Sequence, residues 1–229
     1  MSDSASMLRR FDSRLSKNFS LAAFDRRGHG RTADALGAFH YEEMADETIA
    51  FLEWLDRPSH VIGHSDGGVV ALLVARRRPD LLERVVVIGA NFHHDGLLPT
   101  PPFDLEGPEF DAWAADYGAV SPDGIGHARV VVEKALQLFA TEPTLEVADL
   151  AQISVPVLVM AGDDDVARLE HTCAMYEAIP DAQLAILPAS THAVLKEFPN
   201  LSSRLIRRFL TESGPPQTLM PIRRARRLS

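Results

Sequence analysis

Short apolar runs bounded by turn residues alternate with longer amphipathic stretches along this chain, which is the pattern of a parallel α/β sheet. Strands are predicted at Leu21–Asp25, His60–Gly63, Arg84–Ala90, Val155–Gly162 and Gln183–Leu187. Between them the spacing predicts helices at about Tyr41–Leu55, Gly67–Arg77, Arg168–Ala178 and Leu201–Leu210, with a further helix at Met7–Lys17. No internal repeat or low-complexity segment interrupts the alternation.

One stretch departs from this rhythm. Residues 91–151 carry no buried-strand signal. They open with the loop Leu98-Pro99-Thr100-Pro101-Pro102, then Gly107-Pro108, and continue with helical patterning around Phe110–Tyr117 and His127–Phe139. An insertion of this length between core strands is expected to be a functional lid over the carboxyl ends of the strands, where open α/β sheets bind ligands. The expected organisation is a core of residues 1–90 and 152–214, a helical lid at 91–151 and a flexible basic tail at 215–229. Phe110, Trp113, Tyr117 and Phe139 are read mainly as lid packing, with an apolar pocket as the alternative.

Composition narrows the function classes. With 229 residues, 46% of them hydrophobic, the chain supports one substantial core. A formal charge of −9 argues against a nucleic-acid partner. The cluster Arg223-Arg224-Ala225-Arg226-Arg227 is read as a solvated tail, with a membrane or partner patch as the alternative. A single cysteine, Cys173, excludes an internal disulfide and a Cys-only metal cluster, and it reads as a helix residue. No run is apolar enough to span a bilayer, and no signal-peptide core is present, so a cytoplasmic location is expected.

The chemistry centres on Gly63-His64-Ser65-Asp66-Gly67. Val61-Ile62 before it reads as strand and Gly68–Leu73 after it as helix, the setting that exposes a serine Oγ on a tight turn. Gly63 and Gly67 are expected to allow the close approach of strand and helix. Serine needs a base to act as a nucleophile, and His192, in the loop after a predicted strand, is placed to take its proton. An acid to orient that imidazole is sought in Gly162-Asp163-Asp164-Asp165. Asp165 is the best candidate, while Asp163 and Asp164 are read as capping or solvated groups and a cation site on the three as a minor alternative. His64 flanks the nucleophile and is expected to shape the substrate pocket. His29 reads as turn chemistry. His93 and His94 are expected to line the cleft entrance or face solvent, because adjacent side chains rarely converge on one ion, so no metal is assigned.

Over nearly its whole length the chain resembles the α/β-hydrolase superfamily, through Phe24-Asp25-Arg26-Arg27-Gly28-His29-Gly30-Arg31, the turn at Ser65, Gly162-x-x-Asp165 and His192. Gly63-His64-Ser65-Asp66-Gly67-Gly68 with Ile88-Gly89-Ala90-Asn91 resembles the biphenyl hydrolase-like group, of the valacyclovir hydrolase type. The resemblance implies an α/β-hydrolase fold, with a mostly parallel sheet, helices on both faces and a helical lid. It also implies a Ser65–His192–Asp165 triad that forms an acyl-enzyme from small carboxylic esters, α-amino-acid esters or lactones, without a cofactor. Asp66 would supply an oxyanion-hole N–H. Its carboxylate would either meet a substrate ammonium or cap the following helix.

The start of the chain departs from the family pattern. Only Met1–Ser20 precedes the first predicted strand, and no His-Gly or Gly-Gly pair occurs there to donate a second oxyanion N–H. The N-terminal strands are therefore expected to be missing, with reduced activity and self-association through an uncovered sheet edge. A start site placed too far downstream is the preferred explanation. The competing readings are C–C bond hydrolysis of ring-cleavage products and a non-catalytic remnant of the fold. Cofactor-free perhydrolysis is retained as a side activity.

Overall fold

Alternation along the strands sets the layering. A computed structural model describes residues 4–99, 101, 103–212, 218–220 and 222. In β2 (Leu82–Ile88) and β3 (Val157–Asp164), Val85, Val87, Val157 and Val159 face one apolar cluster, while Val86, Ile88, Leu158 and Met160 face another. Strands buried on both faces need no polar side, so they read as continuous apolar runs. β1 (Ser59–His64) and β4 (Ala182–Thr191) flank them, and the sheet of four described strands is parallel throughout in the order β1-β2-β3-β4.

Helices cover both faces. α2 (Tyr41–Trp54), α3 (Asp66–Arg77) and α7 (Leu169–Ala178) contribute to the first cluster. On the second, Leu15 of α1 (Ser4–Leu15) packs with Val194 and Leu195 of α8 (Val194–Glu197) and with Ile206, Phe209 and Leu210 of α9 (Pro199–Thr211). Between β2 and β3 stand α4 (Pro108–Gly118), α5 (Ala128–Thr141) and the short α6 (Val147–Leu150). Phe110 and Tyr117 are buried there and Trp113 stacks on Tyr117 at 5.4 Å, which favours the packing reading of these aromatics.

The strand expected at Leu21–Asp25 does not form. Ala22 and Ala23 are exposed, and β1 pairs only with β2 among the described residues. The segment is held by side chains instead, with Phe19 edge-on to His60 of β1 at 5.6 Å and Phe24 against Phe51 of α2 at 4.8 Å. Apolar alternation makes a strand only where a neighbour supplies ladder hydrogen bonds. Arg223, Arg224, Arg226 and Arg227 lie outside the described residues, as does most of the segment expected to be a basic tail. No described helix is long and apolar enough to cross a membrane.

Candidate active site

β1 ends at His64 and α3 begins at Asp66, so Ser65 alone makes the turn. It does so at φ 56° and ψ −122°, a region a side-chain-bearing residue occupies only when its surroundings dictate it. The Ser65 N–H donates to the Ile88 carbonyl at 2.8 Å, and the Ser65 carbonyl accepts from the Gly68 N–H at 2.8 Å. A Cβ at Gly63 would lie 2.0 Å from the Gly67 carbonyl oxygen, and one at Gly68 would lie 2.6 Å from the Ala90 Cβ. A Cβ at Gly67 would meet nothing within 4 Å. The sequence expectation of Gly63 and Gly67 is thus corrected: the close approaches are at Gly63 and Gly68, and Gly67 faces open space.

The candidate base and acid come from the ends of β4 and β3. His192 follows β4, and its Nε2 accepts from the Ser65 hydroxyl at 3.0 Å. Its Nδ1–H donates to Asp165 Oδ1 at 2.7 Å. Of the three adjacent aspartates only Asp165 is buried, its side chain 1% exposed, while Asp163 and Asp164 are exposed. Burial pushes the Asp165 carboxyl up, but the hydrogen bond and charge of His192 outweigh it and hold the acid below its ordinary range. Asp163 has a different task. Its Oδ1 accepts from the Ser190 N–H at 3.1 Å, and the backbone donors Ser190 and Ala189 hold its carboxyl low. It thereby ties the end of β3 to the end of β4, just before His192.

Further contacts brace this relay. His64 donates from Nε2 to the His192 carbonyl at 2.9 Å, with ring centroids 4.9 Å apart, so the residue expected to shape the pocket also steadies the base. Gly89, at φ 55°, lies behind the acid–base pair. A Cβ there would stand 3.0 Å from both Asp165 Oδ2 and His192 Nδ1. Gly89 was legible only as part of a motif, because nothing local announces which distant groups it faces.

Asp66 begins α3, so its N–H belongs to the helix turn whose donors have no intrahelical acceptor. Its carboxylate Oδ1 accepts from the hydroxyl of buried Tyr41 at 2.7 Å. Burial, reinforced by that carboxylate, pushes the Tyr41 phenol far above its ordinary range, so it stays a donor. Tyr41 also lines a cavity of about 600 Å³ with His40, Leu73, Thr141, Glu142 and Leu145. The sequence reading missed Tyr41, which sits at a helix start with no local signal of its partner. His29 is buried, its Nδ1–H donating to the Arg27 carbonyl at 2.9 Å, which agrees with turn chemistry. His93 and His94 do converge, with ring centroids 4.4 Å apart.

Comparison with known proteins places these features in context. The sequence description of the Alpha/beta hydrolase family matches residues 2–203. A Pseudomonas syringae pv. syringae protein named carbamate hydrolase RutD is 29% identical over 221 residues, covering 86% of this chain and 85% of its own. The enol-lactonase of Burkholderia xenovorans LB400 superposes with a TM-score of 0.71 at 22% identity, over 92% of this chain and 88% of its own. The meta-cleavage product hydrolase CumD of Pseudomonas fluorescens IP01 does so with a TM-score of 0.67 at 22% identity, over 91% and 86%. At such identities the two structures speak to the fold alone.

Proposed function

The chain belongs to the alpha/beta hydrolase family, and from that premise we propose that it is a serine hydrolase of small carboxylic esters, with Ser65 as nucleophile, His192 as general base and Asp165 as the orienting acid. The observation that carries this reading is the continuous relay from Ser65 Oγ to His192 Nε2 at 3.0 Å and from His192 Nδ1 to Asp165 at 2.7 Å. In it, His192 takes the Ser65 proton as Oγ attacks the ester carbonyl, then returns it to the leaving alkoxide. The same base next activates water, which releases the acid and regenerates Ser65. Asp165 stays ionised throughout and stabilises the imidazolium. The Asp66 N–H donates to the oxyanion that develops on the carbonyl oxygen. The residues at 91–151 act as the lid over this site.

Substrate class is the finer part of the proposal. Esters and lactones share the acyl chemistry the relay supplies, and α-amino-acid esters would add an ammonium group for the Asp66 carboxylate. Because Tyr41 already occupies one oxygen of that carboxylate, the ammonium would engage the other. The name of the RutD relative extends the panel to carbamates, and the competing reading of C–C hydrolysis adds a vinylogous diketone.

Labelling with a fluorophosphonate tests the nucleophile, and the panel tests the class. Wild-type chain is expected to be labelled once, and Ser65→Ala to be unlabelled and inactive. Asp165→Asn is expected to lower kcat by about 10⁴-fold with the fold retained, because the imidazole is then held in the wrong tautomer. Labelling that persists in Ser65→Ala would overturn the assignment, and C–C cleavage without ester hydrolysis would replace the substrate class. Equal rates on an amino-acid ester and its N-acetylated form would remove the ammonium role of Asp66.

A further inference from the structure

The turn that follows β2 carries a second cluster of ligating side chains, none of which belongs to the relay. His93, His94 and Asp95 each offer one donor atom, and these atoms lie within 4.8 Å of one another. Two separations are closer: His93 Nδ1 is 3.5 Å from Asp95 Oδ2, and His94 Nδ1 is 3.3 Å from Asp95 Oδ1. Donors held about 2.0–2.2 Å from a tetrahedral ion stand about 3.4 Å from each other. The two short separations run to different oxygens of Asp95, so its carboxylate spans both imidazoles, and rotation about the side-chain bonds would bring one donor of each residue onto a common ion.

The backbone beneath the cluster is fixed from two sides. The His94 N–H donates to the Pro143 carbonyl at 2.7 Å and the Leu145 N–H to the Phe92 carbonyl at 2.9 Å, which ties the turn to the segment returning from α5. The Leu98 N–H donates to the Val166 carbonyl and the Arg168 N–H to the Gly96 carbonyl, both at 2.8 Å, which ties it to the loop following Asp165. From below, His171 stacks on Phe92 at 3.8 Å and accepts the Phe92 N–H at Nε2, 3.0 Å away. Such a support lowers the ordering cost of binding, since the ligating side chains are carried on an anchored turn. His93 and His94 are half-buried while Asp95 is 80% exposed, and His93, Asp95 and His171 line a cavity of about 520 Å³. An ion can therefore enter, and water can complete its shell. In the absence of an ion, the Asp95 N–H donates to His93 Nδ1 at 3.2 Å, a bond that binding there would exchange for a solvent contact.

We propose that His93, His94 and Asp95 form a binding site for a divalent transition-metal ion of the zinc class. Two imidazoles and one carboxylate suit zinc or its neighbours rather than magnesium or calcium, which take oxygen donors. The site is a clamp rather than a source of chemistry for Ser65. Its three ligands stand on the one anchored turn that opens the 91–151 segment, beside the loop following Asp165, so a bound ion stiffens that turn.

The untagged full-length chain, stripped with a chelator, provides the test. Zn²⁺ titrated in a calorimeter is expected to bind one equivalent, Co²⁺ to give visible absorption bands, and Zn²⁺ to raise the melting temperature. His94→Ala and Asp95→Asn are each expected to weaken Zn²⁺ binding by about 10-fold or more, with metal-free melting unchanged in Asp95→Asn. His40→Ala, at a histidine outside the cluster, is expected to bind as wild type does. Absence of binding in the wild-type chain would overturn the proposal. Binding that survives both cluster variants unaltered would do the same, by placing the ion elsewhere, for instance on His192.

Discussion

Behind the acid and base lies a residue with no side chain, and its substitution isolates geometry from chemistry. A methyl group at Gly89 would press on Asp165 Oδ2 and His192 Nδ1 from 3.0 Å, at a backbone φ of 55° that L residues resist. Gly89→Ala is therefore expected to lower kcat by about 100-fold, the scale of a 1 Å misplacement of reacting groups, with KM little changed. Steady-state kinetics checks this, and an unchanged kcat would show that the pair tolerates displacement. Asp163→Asn separates the neighbouring carboxylates. It leaves the relay to Asp165 intact and weakens only the tie to Ser190, so its loss of rate should be far smaller than that of Asp165→Asn.

At the scale of elements, a buried carboxylate ties the helices between β2 and β3 to the segment that precedes α2. Asp34, its side chain 3% exposed, accepts from Lys134 Nζ at 2.5 Å and His127 Nε2 at 2.9 Å. Its own N–H donates to Asp123 Oδ2 at 2.7 Å. Burial pushes the Asp34 carboxyl up, and the Lys134 and His127 hydrogen bonds more than reverse that, leaving it below its ordinary range. Removing it would take this acceptor from His127 at the start of α5 and leave Lys134 with the Ala35 carbonyl at 2.8 Å. Asp34→Ala is expected to cost about 2 kcal/mol, less than a fully buried pair would because Lys134 and His127 retain some solvent. Hydrogen exchange should then accelerate in α4 and α5 before it does in β2 or β3. Uniform acceleration across the sheet would mean that Asp34 supports the whole fold and not α4 and α5 in particular.

For the molecule as a whole, buried neutral histidines set the response to acid. Burial, helped by Arg26, lowers His29 from about 6.5 to about 4, and burial beside His93 does the same for His171. His171 also accepts a backbone N–H at Nε2, which a proton there would prevent. Between pH 6.5 and 4 the unfolded chain binds these protons and the folded chain does not, so stability falls as pH falls through that window. His29 alone contributes up to about 3 kcal/mol to this loss. Asp165 and Asp34, whose carboxyls are lowered, lose their contributions only below the ordinary carboxylate range. Melting temperatures measured from pH 7 to about 2 should therefore fall in two stages, and His171→Gln, which keeps an acceptor, should flatten the first. A flat profile down to pH 4 would contradict the burial of neutral imidazoles. Much of this protein was legible in its sequence. Short apolar runs between turn residues marked β1 to β4, most plainly β2 and β3, because strands buried on both faces must be apolar throughout, and the strand–turn–helix pattern marked Ser65, because so tight a turn restricts the residues that make it. The His192 and Asp165 positions followed from loops at strand ends. The sequence already favoured Asp165 over Asp163 and Asp164, and tertiary structure added what sets it apart, burial beside His192, which is not a local property. It also left Leu21–Asp25 outside the sheet, because a strand exists only through its partner. And it brought Tyr41 to Asp66, Gly89 to Asp165 and His192, and Asp34 to Lys134 and His127, contacts between residues far apart in the chain that no local pattern encodes.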